Sequence, residues 1–99
     1  MKYVLIMVYS YLIQDDEYYP EGKEAKYAKM AIISDSPLGL SVLTKVKKYL
    51  RLCHGKYTWI DRSYETVKDE RSVRKDFPET WTWEELSEVI DNSSQVKGV

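Results

Sequence analysis

The stretch "MKYVLIMVYSYLI" at residues 1–13 constrains the fold more than any other part of the chain. After Lys2, eleven residues follow of which only Ser10 is plainly polar. Such a run can be an export signal, a membrane helix or a core strand. An export signal ends in a small-residue cleavage site, and this run enters "QDDEYYPEGKE" instead. A membrane helix needs roughly 20 apolar residues, and this run is shorter and rich in tyrosine. No helical stripe is present. Val4, Ile6 and Val8 alternate with Tyr3, Leu5, Met7 and Tyr9 at period two. Both faces are apolar at the centre, which predicts an interior strand covered on both sides. The chain is therefore expected to be soluble, with no membrane partner.

Ninety-nine residues support one core. Residues 1–92 are expected to form a single compact α+β domain, with 93–99 as a flexible C-terminal tail. A single cysteine, Cys53, excludes an internal disulfide framework and fits the reducing cytoplasm. The net charge of −1 provides no global field for nucleic acid. Nine Tyr and three Trp stand against one Phe, so most rings carry a polar handle. Such rings suit sheet faces and contact surfaces alike.

Residues 14–24, "QDDEYYPEGKE", read as an acidic loop in which Pro20 and Gly22 supply turn chemistry. "AKYAKMAIIS" at 25–34 predicts a second strand, antiparallel to the first. "SDSPLGLSVLTKVKKYLRLCHG" predicts a helix with Ser36 as cap and Pro37 at its first position, or with an onset at Ser41 because Gly39 weakens the first turn. Val42, Leu43, Val46, Tyr49, Leu50 and Cys53 share an arc of about 120° and form its expected buried stripe; Gly55 ends it. "KYTWIDRSYETVK" is β, either one strand bulged near Asp61-Arg62-Ser63 or two strands folded there. "DERSVRKDFPE" is polar, with Val73 and Phe77 as its only anchors. In "WTWEELSEVID", Thr82 and Glu85 make a capping box and Trp81 a staple onto Leu86. The expected fold is a small antiparallel sheet of three to four strands with two helices packed on it, in the order ββαβ(β)α.

Residue inventory points away from catalysis. His54 is the only histidine, and its neighbour Cys53 projects about 100° away on a helix. A nucleophile and its base must face one another. Two Cys/His residues are too few for a structural zinc, and Asp15, Asp16 and Glu17 lack the spacing of a calcium loop. No glycine-rich phosphate loop occurs. No enzyme, metal or cofactor is expected.

Charge sorting is the informative pattern. Residues 36–60 contain no acid but include Lys45, Lys47, Lys48, Arg51 and Lys56, whereas 76–92 contain six acids and no base. Thr44, Lys47, Lys48 and Arg51 share the solvent side of the predicted helix, a face suited to a phosphate backbone or an acidic protein patch. The plainer account is a solvated face compensated by the acidic helix. The loop residues Asp15, Asp16, Glu17, Tyr18 and Tyr19 form the other candidate contact, rings flanked by acids; the plainer account folds the rings over the sheet edge.

These features predict a small noncatalytic protein-binding module, an inhibitor or adaptor acting on a larger protein. Accessory proteins of phages and mobile elements that block host machinery are one setting for such a chain, although no motif identifies such a family. The competing expectation is a nucleic-acid-binding domain that uses the basic helix face and sheet tyrosines, without the aromatic signature of an RRM. Self-association through Tyr57, Trp59 and the N-terminal strand is a further expectation, giving a homodimer.

Overall fold

A computed structural model describes residues 1–13 and 24–97, except for the side chains of residue 24 and residues 94–97. The elements are β1 (Lys2–Ile13), β2 (Glu24–Ser34), α1 (Ser41–His54), β3 (Thr58–Lys68), α2 (Glu70–Asp76), β4 (Glu79–Thr82) and α3 (Trp83–Lys97). The class is α+β, as the sequence predicts. Strand order is β3-β1-β2-β4, so β1 is interior. It pairs antiparallel with β2 and β3, and both its faces are buried at Val4–Met7.

Alternation along β1 divides the core in two. Leu5, Met7 and Tyr9 join Met30 and Ile32 under α1 and α3, where Val42, Val46, Leu50, Leu86 and Ile90 close the layer. Val4 and Ile6 join Ala31 and Ile33 on the opposite face, beneath Val73 of α2 and the half-buried Phe77. Each such buried aliphatic side chain contributes about 1.5–3 kcal/mol relative to exposure.

Several expectations are corrected. The sheet is mixed, because β4 pairs parallel to β2 with Ile32 opposite Trp81. The fourth strand thus comes from residues 79–82 and ends on Thr82, the first residue of the capping box. Of the two alternatives read for residues 58–68, the single bulged strand is the one that forms: the register with β1 slips between Val8 and Tyr9, leaving Asp61 as the bulged residue.

A third helix, α2, lies within the polar stretch that offers only two apolar anchors. Asp69 caps it by accepting from Ser72 N–H at 3.3 Å, and Arg74 pairs with Glu70 one turn apart at 3.0 Å. Val73 supplies its buried contact.

Helix α1 begins at Ser41. Gly39 takes φ +77°, a left-handed conformation that interrupts any helix continuing from Ser36. The Glu65 carboxylate of β3 holds this turn, accepting from Leu38 N–H at 3.0 Å and Gly39 N–H at 3.1 Å. Gly55 ends α1 as expected, donating its N–H to Arg51 O at 2.9 Å. Cys53 is exposed; the buried stripe stops at Leu50, and Tyr49 is half-buried. The capping box forms as predicted: Glu85 N–H donates to Thr82 Oγ1 at 3.2 Å and Thr82 N–H donates to Glu85 Oε1 at 3.3 Å. Trp81 packs against the cluster containing Leu86. Helix α3 runs on through Lys97, beyond the residue 92 limit expected of the compact unit.

Among the described residues, no helix is long and apolar enough to cross a membrane.

Candidate binding groove on the first helix

The amphipathic pattern of α1 determines where its cations point. With Val42, Val46 and Leu50 turned to the sheet, the opposite side presents Thr44, Lys47, Lys48 and Arg51. These four line a shallow groove of about 510 Å³ together with Leu52 and Lys56. The structure therefore brings together Lys47, Lys48 and Arg51, as the sequence predicts. It adds Lys56, which follows the Gly55 turn and lies 5.1 Å from the centroid of the Tyr57 ring. Leu52 is exposed within this basic rim.

Among the described residues, no carboxylate lines the groove. The ion pairs among the described residues are Lys2–Asp35 and Arg74–Glu70, so no described acid neutralises a groove cation by contact. Helices α1 and α3 share one core layer, yet the acids of α3 form no ion pair with these bases. Compensation by the acidic helix therefore does not occur at contact distance. The helix dipole favours a cation in the last turn and accounts for Arg51. It does not account for Lys47 and Lys48, in the middle of a 14-residue helix. Like charges one turn apart, such as Lys47 and Arg51, cost about 0.2–0.5 kcal/mol on an isolated helix. A bound anion relieves that repulsion.

The acidic tyrosine loop, Asp15, Asp16, Glu17, Tyr18 and Tyr19, lies outside the described residues.

A polar cluster that local sequence does not signal joins the C-terminal end of α1 to the sheet. Tyr9 Oη donates to Glu79 Oε1 at 2.9 Å and lies 3.4 Å from His54 Nε2. The His54 ring stacks on Tyr11 at 4.2 Å between centroids. Cys53 instead lies one turn from Tyr49 and acts on its phenol. Adjacent in sequence, Cys53 and His54 thus take separate partners, as helical geometry requires. Burial first, then the Glu79 carboxylate, pushes the Tyr9 phenol well above the usual tyrosine range. Burial and the Cys53 hydrogen bond push Tyr49 up to about 12. Both phenols stay protonated at neutral pH and serve as packing with a polar tip. No group of three or more His, Cys, Asp or Glu among the described residues is placed to hold a metal ion.

Comparison with protein-family models, with curated proteins and with solved structures finds no match.

Proposed function

We propose that this chain is a noncatalytic protein-binding module of the cytoplasm, an inhibitor or adaptor that engages an acidic patch on a larger protein through the α1 groove. The observation that carries this reading is the convergence of Lys47, Lys48, Arg51 and Lys56 around an exposed leucine, with no carboxylate among them. An apolar centre within a charged rim is the usual anatomy of a protein contact. Complementary charge speeds encounter and fixes register, while the leucine supplies desolvated contact. Bound in this way, a compact domain blocks whatever the acidic patch of its partner normally receives. An accessory protein of a phage or mobile element acting on host machinery is the proposed setting. Asp15, Asp16, Glu17, Tyr18 and Tyr19 are proposed as a second contact, able to meet basic residues beside the patch.

The test is affinity capture from nuclease-treated host lysate by the native chain and by Lys47→Glu/Lys48→Glu/Arg51→Glu. All three side chains are exposed, so folding should be unaffected within about 0.5 kcal/mol per site. A partner retained by the native chain should be lost by the variant. Equal recovery by both proteins, or a capture abolished by nuclease, contradicts the proposal.

A further inference from the structure

Among the described residues, the sheet face under α2 is covered only at one end. Strand register sets out what lies beyond. Val4 sits between Ile33 and Thr66, and Ile6 between Ala31 and Tyr64; the aliphatic members of these rows pack beneath Val73. The next row is Lys29–Val8–Arg62, and the next Tyr27–Ser10–Trp59. Directly paired residues share a face and rows lie two residues apart, about 6.7 Å along the strands. Tyr27 is 73% exposed, Tyr64 51% and Trp59 38%. The uncovered half of the sheet is therefore a row of two cations flanked on either side by exposed aromatic rings.

Asp61, brought to this face by the bulge, is the only acid among these rows, and its carboxylate is already engaged. One oxygen accepts the Trp59 indole N–H at 2.7 Å, and the other accepts from Ser10 Oγ. The indole is thus held in place with its polar atom satisfied, which leaves its ring surface as the available contact.

We propose that this open half-face is a stacking platform for single-stranded nucleic acid, separate from the α1 groove. Bases stack on aromatic rings without regard to sequence, and cations between the rings meet the backbone. Charge selects this occupant over a second copy of the chain. Two such faces packed together would set Arg62 and Lys29 against their own kind, with Asp61 already engaged. The helix cations Lys47, Lys48 and Arg51 cannot clamp a strand lying on these rings, because α1 covers the opposite face of the sheet. Arg62 and Lys29 take that role, and neither stands out as a site in the sequence.

The experiment is fluorescence anisotropy with labelled oligothymidylate and oligouridylate, and with a duplex of equal length, at low and at physiological salt. The single strands should bind more tightly than the duplex, and affinity should fall as salt rises. Trp59→Ala/Tyr64→Ala should weaken single-strand binding about 5- to 100-fold. Lys29→Ala/Arg62→Ala should flatten the salt dependence by about two backbone contacts. Lys47→Glu/Lys48→Glu, in the groove, should weaken it less than either. Should the double ring variant fail to fold, Tyr27→Ala, at the most exposed ring, is expected to lose about 5-fold or more. Absence of binding at low salt overturns the proposal, as does binding abolished by the groove variant and kept by the ring variants. A dimer in sedimentation that the ring variants dissociate, with no oligonucleotide bound, overturns it in favour of a second copy. Absence of binding, or a dimer held by the rings, leaves the α1 proposal standing, since that groove lies on the other side of the molecule; binding lost only in the groove variant counts against both.

Discussion

Tyr9 shows how one residue can serve two ends of the chain. Its ring belongs to the core beneath α1 and α3, while its hydroxyl reaches Glu79 at the start of β4 and approaches His54 at the end of α1. Removing the hydroxyl in Tyr9→Phe leaves the packing intact and deprives Glu79 of its donor, at a cost of about 1 kcal/mol in urea unfolding. The pH dependence follows from the direction of the shifts. Tyr9 and Tyr49 both have phenols raised in the folded state. Their contribution is fully present below the unfolded tyrosine value of about 10 and is lost as pH rises through the folded values. Stability should therefore fall in alkali above pH ~10, with phenolate absorbance showing late-ionising tyrosines whose last step disappears in Tyr9→Phe. All nine phenols ionising together near the ordinary value, with the protein still folded, would contradict this account.

Among the elements, stability should concentrate at the two surfaces that bury β1. Val73 is the buried side chain by which α2 holds its face of the sheet. Val73→Ala is expected to cost about 2 kcal/mol, whereas Leu52→Ala, in the exposed groove, should stay within about 0.5 kcal/mol. Thr82→Ala, which breaks the capping box of α3, should cost about 1 kcal/mol. Hydrogen bonds from Thr82 hold the Glu85 carboxyl below its ordinary value. Its contribution is present above about 4.5 and is lost as pH falls through the folded value. Thermal and urea melts of the three variants test the ranking. A Leu52→Ala cost equal to that of Val73→Ala would refute the assignment of core and groove.

Legibility at this scale followed locality. Period-two alternation identified β1, the 3.6-residue stripe identified α1, and the spacing of Thr82 and Glu85 marked the start of α3. Helix α2 escaped because seven residues with one buried valine contain too little periodicity to register. Strand β4 escaped because Trp81 and Thr82 serve both as strand and as helix-entry signals. Its partner, β2, is also parallel and remote in sequence. The stripe predicted for α1 runs one turn too far, to Cys53, since periodicity does not tell where a helix leaves its sheet. Bases at i, i+1 and i+4 on one helix face make the groove residues Lys47, Lys48 and Arg51 readable. The Tyr9–His54–Glu79 cluster spans separations of 45 and 70 residues, and no local pattern encodes such contacts.

Over the whole molecule, the net charge of −1 conceals a sorting by surface. One side carries the groove cations around Leu52, and the other carries Arg62 and Lys29 between exposed rings. A total near zero therefore does not prevent either surface from engaging an anionic partner, because screening confines each interaction to roughly a Debye length, about 8 Å in physiological salt. The two-layer core separates the surfaces, so substitutions in one should be additive with substitutions in the other.

The central claim is that the α1 groove meets carboxylates on a protein. Zero-length carbodiimide coupling, which joins an amine directly to a carboxylate in contact with it, measures this on the native chain with its captured partner. The account predicts amide cross-links from Lys47, Lys48 or Lys56 to aspartate or glutamate of the partner, absent when the three groove lysines are replaced by arginine and binding persists. Cross-links arising only from lysines outside the groove, with Lys47, Lys48 and Lys56 unmodified in the complex, would contradict it.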